Sequence, residues 1–293
     1  MQPGPSSIPD APGDSATPNI PEAPQETYTH GYSEEHRSFL SMRSALQDAD
    51  FFLPHLRPGM RVIDCGCGQG SITVGLAETV APGEVIGIDR ELSQIEAART
   101  WATEHHVANV HFQVGNIYEL PFADASVDAA FAHTVLEHLS DPARALKEMR
   151  RVLKPGGIIG IKDPDYASMI HESSSPLTAE AIQLYRRVSE INGASPYYAR
   201  HQRRLLREAG FERTAGFAYA VGGGNDQMSP YIFSLTLKPW FHDPAFVDTA
   251  RAQGWADQSQ LDAMFQALEE AFTGPDAFFA LTLCAAIGWV PEA

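Results

Sequence analysis

Cysteine is scarce in this chain, with three in 293 residues. Cys65 and Cys67 lie two apart and Cys284 is far off, so the sequence builds no disulfide framework. Zinc needs about four ligands in paired spacings, which leaves no metal site; the two thiols read as small residues in a tight loop, and a reducing compartment, the cytoplasm, is expected. Long hydrophobic runs are missing too. No stretch reaches the roughly 18 apolar residues of a membrane span, and the first residues have neither the basic start nor the apolar run of a secretory signal. Positive charge is in deficit: 21 Lys and Arg face 37 Asp and Glu, a net charge of −16. Nucleic acids are held by Lys and Arg at their phosphates. The expected partner is therefore a small molecule, with no nucleic acid and no membrane; a homodimer stays open. No internal repeat is visible.

At 44% hydrophobic residues the chain can bury a full core. Residues 1–27 hold Pro3, Pro5, Pro9, Pro12, Pro18, Pro21 and Pro24 among small polar residues and cannot offset their chain entropy by burial, so a disordered tail is expected. Residues 34–53 read as helical, with Phe39, Met42 and Leu46 on one face and Phe51 beyond, until Pro54, Pro58 and Gly59 break the run. Next, short apolar strands alternate with helical patterns. Strands are expected around Val62-Ile63 and over 84–89, 110–114, 127–132 and 158–161. Helices are expected over 71–79, over 91–105 with Leu92, Ile95, Ala98 and Trp101 inward, and over 143–153 behind Asp141-Pro142, a cap followed by proline. That alternation argues for an α/β fold, a doubly wound, mostly parallel sheet with helices on both faces. Beyond it come helices over 177–191 and 199–209, a strand over 212–221, a helical insert over 228–270 and a last strand over 278–290.

The densest information is in Val62-Ile63-Asp64-Cys65-Gly66-Cys67-Gly68-Gln69-Gly70. A strand feeding a glycine-rich turn and a helix builds a nucleotide-shaped site at the strand's carboxyl end. The glycines read GxGxG, whereas a dinucleotide-binding turn needs GxGxxG to set a pyrophosphate on the helix N-terminus. A ligand without phosphates fits better. Asp89 ends the second strand about 20 residues on, where an acid reaches ribose hydroxyls; it also suits a helix cap. Asn116-Ile117 after the third strand suit an adenine edge and face, or a turn. His133 ends the fourth strand, as a reactive group or a buried imidazole.

The conjunction resembles the small-molecule branch of the class I, Rossmann-like methyltransferases that depend on S-adenosylmethionine. Besides the glycine segment, Gly87-Ile88-Asp89, Gly115-Asn116-Ile117-Tyr118-Glu119-Leu120-Pro121-Phe122, Val135-Leu136-Glu137-His138-Leu139 and Leu153-Lys154-Pro155-Gly156-Gly157 carry the resemblance, in order over about 60–160. Many members have an acid where Asn116 sits. The resemblance implies a seven-stranded sheet. It also implies a methyltransferase domain over 28–293, with N-terminal lid helices over 28–58, a cofactor core over 59–163 and substrate-side helices and strands over 164–293. It assigns Gly66, Gly68 and Gly70 to the methionine part of the cofactor, Cys67 to the cofactor site between them, and Asp64 to the loop and the amino group. Asp89, with Arg90 and Gln94 nearby, falls to the ribose, Asn116 and Ile117 to adenine, His133 to the sulfonium surroundings and Arg43 to the carboxylate. Tyr32 and His133 are the catalytic candidates. Tyr28, His30, Tyr166, Tyr197, Tyr198 and Arg200 are candidates on the acceptor side. The basic run Arg200, His201, Arg203, Arg204, Arg207 is either a solvated face or a reader of an acidic acceptor. A nicotinamide-dependent oxidoreductase, or a protein that binds the cofactor without methylating, are the rival readings; secondary metabolism is an expectation of the resemblance alone.

Overall fold

The structure, a computed structural model, describes residues 41–224, 228–235 and 237–292. The proline-rich tail and Tyr28, His30, Tyr32 and Phe39 lie outside the described residues. The chain runs α1 (Ala45–Asp48), a 3-10 turn (Leu53–His55), β1 (Arg61–Cys65), α2 (Ser71–Val80), β2 (Glu84–Asp89), α3 (Leu92–Glu104), β3 (Val110–Val114) and β4 (Val127–His133). A 3-10 turn (Leu136–His138), α4 (Pro142–Val152), β5 (Leu153–His171), α5 (Pro176–Ile191), a 3-10 turn (Ala199–His201) and α6 (Gln202–Glu208) follow. β6 (Glu212–Gly223), α7 (Met228–Leu235), α8 (Leu237–His242), α9 (Pro244–Ala252), α10 (Gln258–Thr273) and β7 (Phe279–Trp289) complete it.

The seven strands form one sheet in the order β3-β2-β1-β4-β5-β7-β6. β1 pairs in parallel with β2 and β4, β2 with β3, and β4 with β5. β7 returns antiparallel between β5 and β6. The order reverses between β1 and β4, the switch point at which open sheets of this kind bind ligands in the crevice beyond the carboxyl ends of the strands. One face of the sheet packs under α4 and α6 around Ile63, Leu146, Met149 and Leu206. The other packs under α1, α2 and α3 around Phe52, Leu76, Ile95 and Phe131. A further apolar cluster joins α5 to α7–α10 through Tyr185, Trp240, Phe246 and Phe272. No helix among the described residues is long and apolar enough to cross a membrane.

Local signals account for many boundaries. Asp141 caps α4 by accepting from Arg144 N, with Pro142 at the first position. Asp257 and Gln260 form a reciprocal capping box on α10. Asp257→Ala should cost about 1 kcal/mol of stability; denaturant unfolding identical to that of the parent chain would show that the box contributes nothing.

Three expectations need correction. The described part of 34–53 is not one helix: α1 has four residues, and Met42 and Leu46 are 59% and 80% exposed. The buried side is instead Ala45, Ala49 and Phe52, with Phe51 buried as expected. Ala45 rests on α2 so closely that a Cβ on Gly75 would come within 2.7 Å of the Ala45 Cβ; close helix approach, which needs small residues, overrides the large-residue periodicity. On α3, Leu92 is exposed and Gln94 is buried, because the start of α3 borders the crevice and Gln94 turns inward toward the glycine loop. Finally, β5 does not stop at the expected 161 but runs on to His171. β7 runs alongside and keeps pairing, Pro164 with Leu283 and Ile170 with Ala280, across an irregularity between Asp165 and Ile170.

Candidate active site

The glycine loop leaves β1 and hugs β2: the N–H groups of Gly66 and Cys67 both donate to Ile88 O, at 2.7 and 3.0 Å. Gly66 is left-handed, φ 75°, and a Cβ there would overlap Val135. Gly70, φ 83°, caps α2, and a Cβ there would sit 2.9 Å from Phe112 Cζ. This third glycine lets the helix close down on β3. Cys65 is buried in the core and Cys67 lies against Gly87.

Two acids fix the loop. Asp64 is 3% exposed and accepts from Thr73 Oγ1 at 2.7 Å, tying β1 to α2. Burial, with the nearby charge of Asp89 adding to it, pushes its carboxyl up to about 7. Asp89 accepts from Gly68 N at 2.9 Å with one oxygen and from Glu91 N at 3.0 Å with the other. Burial raises its pKa against those two bonds. Each carboxylate oxygen keeps a lone pair for a further donor. Among the described residues the space above Gly68 is open: a Cβ there would meet only Gln94 Oε1, at 3.9 Å. That oxygen is buried and has no hydrogen-bond partner among the described residues.

Beyond β4 lies a second group of charges. His133 is 6% exposed, and its Nε2 is 3.5 Å from Asp48 Oδ1. Burial pulls the His133 pKa down to about 4. Burial alone would raise Asp48, but its contact with His133 and the N–H of Ser44 bring it to about 2. In register beside His133, Lys162 donates to Gln47 O at 3.1 Å and lies 4.7 Å from the Tyr219 ring centroid. Arg43 Nη1 donates to Thr134 Oγ1 at 2.7 Å. The segment 43–50 is thus fastened across the ends of β4 and β5. A neutral buried His133 takes up a proton only below about 4, whereas the unfolded chain takes it up near 6.5. Its contribution to stability is therefore present above pH 6.5 and lost as pH falls toward 4. Melting temperature should fall across that window, and His133→Gln should flatten the fall; an identical profile would clear His133 of the effect.

Residues 56–210, more than half of the chain, match the methyltransferase-domain family. The chain belongs to that family. It has the class I, Rossmann-like sheet of the S-adenosylmethionine-dependent enzymes. Trans-aconitate 2-methyltransferase from Deinococcus radiodurans is 30% identical over 269 residues, 88% of this chain and 98% of that one. The O-methyltransferase resE of Aspergillus sclerotiorum is 33% identical over 154 residues, 52% and 55% of the two chains. Among solved structures, the YcgJ protein from Bacillus subtilis superposes with a TM-score of 0.54 at 20% identity, over 85% of this chain and 100% of that one; the likeness is one of fold. The chain spans about half the length of most of the curated relatives it matches.

The structure brings Asp64, Gly66, Cys67, Gly68, Asp89 and Gln94 together around the loop. Arg90 is at its rim, half-exposed, with Nε 3.4 Å from Glu91 Oε1. Asn116 caps its own turn, its Oδ1 accepting from Tyr118 N at 2.9 Å, and Ile117 packs on the core. His133 and Arg43 meet at the end of β4 through Asp48 and Thr134. On the acceptor side, Tyr166 is 5% exposed and packs edge-on to Tyr185 and Trp240, and Tyr198 is buried in the core. Arg200 grips Asp165 with two bonds of 2.8 Å, over the Tyr197 ring. Of the basic run, Arg203 bonds Thr214 O and Arg204 pairs with Glu208. Sequence reasoning missed Asp48, Thr134, Lys162 and Asp163. An apolar strand ending in charge, the signal that singled out Asp64 and Asp89, was present in Ile161-Lys162-Asp163.

Proposed function

We propose that this protein transfers the methyl group of S-adenosylmethionine to a small organic acceptor, in a crevice at the carboxyl ends of β1, β2 and β4. One observation carries the reading: Asp89 is latched to Gly68 N while the space over Gly68 stays open beside the unpartnered Gln94 Oε1. That is a cradle for a ribose and an amino-acid moiety, and the GxGxG spacing departs from the GxGxxG of a pyrophosphate site. The residues present fit S-adenosylmethionine. Asp89 would accept from the ribose hydroxyls, with Gln94 and Arg90 beside it. The backbone of Gly66, Cys67 and Gly68 would lie along the methionine portion, Asp64 bracing it from beneath. Ile117 would cover adenine, and the amide of Asn116 would face its edge. Arg43 would take the carboxylate, and His133 would border the sulfonium.

When bound, the cofactor supplies an electrophilic methyl group on sulfur. The chain's task is to align an acceptor with it and to keep water out, and alignment alone can supply roughly 7–11 kcal/mol of a barrier. His133, which burial makes a weak base, and Tyr32, in the N-terminal segment, are the candidates to take a proton from an acceptor that must lose one. Arg200, backed by Asp165 and Tyr197, offers a guanidinium to an anionic acceptor. Tyr166 and Tyr198, buried, would shape the wall. Both the Deinococcus trans-aconitate 2-methyltransferase and the Aspergillus O-methyltransferase support a small acceptor. The net charge of −16 argues against nucleic acid, and the scarcity of cysteine supports the cytoplasm.

The test is incubation with methyl-labelled cofactor and a panel of small carboxylic acids, phenols, amines and thiols, read by mass spectrometry. A labelled product is expected. Cofactor retention without any product would favour a binding protein, and failure to bind the cofactor would end the proposal.

A further inference from the structure

The chain turns sharply after β4 without a glycine. Thr134 takes φ 52°, a left-handed conformation that a β-branched residue adopts only when its surroundings over-determine it. They do so here. Thr134 N donates to Lys162 O at 2.8 Å, and Val135 N donates to Asp163 Oδ1 at 2.9 Å. The N–H groups of Leu136 and Glu137 face the same carboxylate. Its other oxygen accepts from Gln202 Nε2, on α6, at 2.7 Å. Asp163 is fully buried and Gln202 is 1% exposed, so water competes for neither; burial pushes the Asp163 carboxyl up to about 7, against the bonds it accepts from the turn and from Gln202. The turn it holds presents Val135 to the glycine loop, where Val135 fills the place of the missing Gly66 side chain. α6, on its far side, follows directly on the turn that carries Arg200.

The geometry points to Asp163 as a positioning residue for cofactor binding: with Gln202 it fixes the strained Thr134–Glu137 turn, so that Val135 walls the glycine loop at a set distance and the acceptor-side helix is tied to that wall. The inference rests on the reading of the loop as the S-adenosylmethionine site.

Its test is calorimetry with S-adenosylhomocysteine on the full chain. Asp163→Ala leaves the N–H groups of the turn and Gln202 Nε2 without their acceptor. Affinity, measured where every variant is fully folded, should fall roughly tenfold or more, as for buried donors left unsatisfied. Asp163→Asn returns an oxygen to Val135 N, and its amide can donate to Gln202 Oε1 once that side chain flips, so it should recover most of that loss. Parental affinity in Asp163→Ala, or no recovery in Asp163→Asn, overturns the inference. Should Asp163→Ala not fold, Gln202→Ala leaves the carboxylate and its backbone bonds in place: weakened affinity supports the inference and unchanged affinity overturns it. If the parent chain itself does not bind the ligand, the site reading fails instead.

Discussion

Asp89→Ala should nearly abolish cofactor binding. The side chain has two tasks on the proposed reading. It accepts from the ribose hydroxyls, and it holds Gly68 N at 2.9 Å, so the loop keeps its shape. Losing two hydrogen bonds to a charged group costs about 3–6 kcal/mol, roughly two to four orders of magnitude in affinity. Asp89→Asn should fall between the two, since one amide oxygen can still accept. Calorimetry with S-adenosylmethionine decides it: an alanine variant that binds as the parent does would remove Asp89 from the site, whatever the loop around it binds.

Gly66→Ala should cause the largest loss of stability in the loop. A side chain at φ 75° costs about 1–2 kcal/mol. The new methyl group also lands on Val135, with its second methyl only 2.9 Å away, and overpacking costs about 1–3 kcal/mol more. Together these reach a sizeable share of the roughly 5–15 kcal/mol that holds a domain folded. Gly59→Ala is the internal control: its φ is 89°, and nothing lies within 4 Å of the added carbon. It should show the conformational cost alone. If the two variants unfold at the same denaturant concentration, Val135 yields freely and is not the wall described above.

The legible part of the fold was local. The patterns Glu-Val-Ile-Gly-Ile-Asp and Val-His-Phe-Gln-Val run as strands from the first residue to the last: the first is buried on both faces and apolar between its ends, and the second, at the edge of the sheet, alternates apolar and polar residues with a period of two. The cap at Asp141 carried its own proof in the proline that follows. Asp89 was legible by its spacing from the glycines. Asn116 was legible as a loop residue, and the structure adds that its oxygen is already used by Tyr118 N.

Other features were closed to sequence reasoning because their causes lie across the sheet. The inward side of 41–52 is set by Gly75 on another helix. Asp48 and His133 are 85 residues apart in number and 3.5 Å apart in space. β5 outruns its apolar pattern because β7, more than 100 residues later, lies along it.

By itself, then, the order of residues determined the alternation of strands and helices, the GxGxG turn and the acid that faces it, since these depend on neighbours within a few residues of one another and on periodicities the backbone imposes. The tertiary structure alone decided that β7 slips between β5 and β6, that Asp163 gathers the turn after β4, and that His133 and Lys162 sit beneath residues 43–50. Those arrangements arise when distant segments share one buried space, where each polar group must find its partner among whatever the packing brings near.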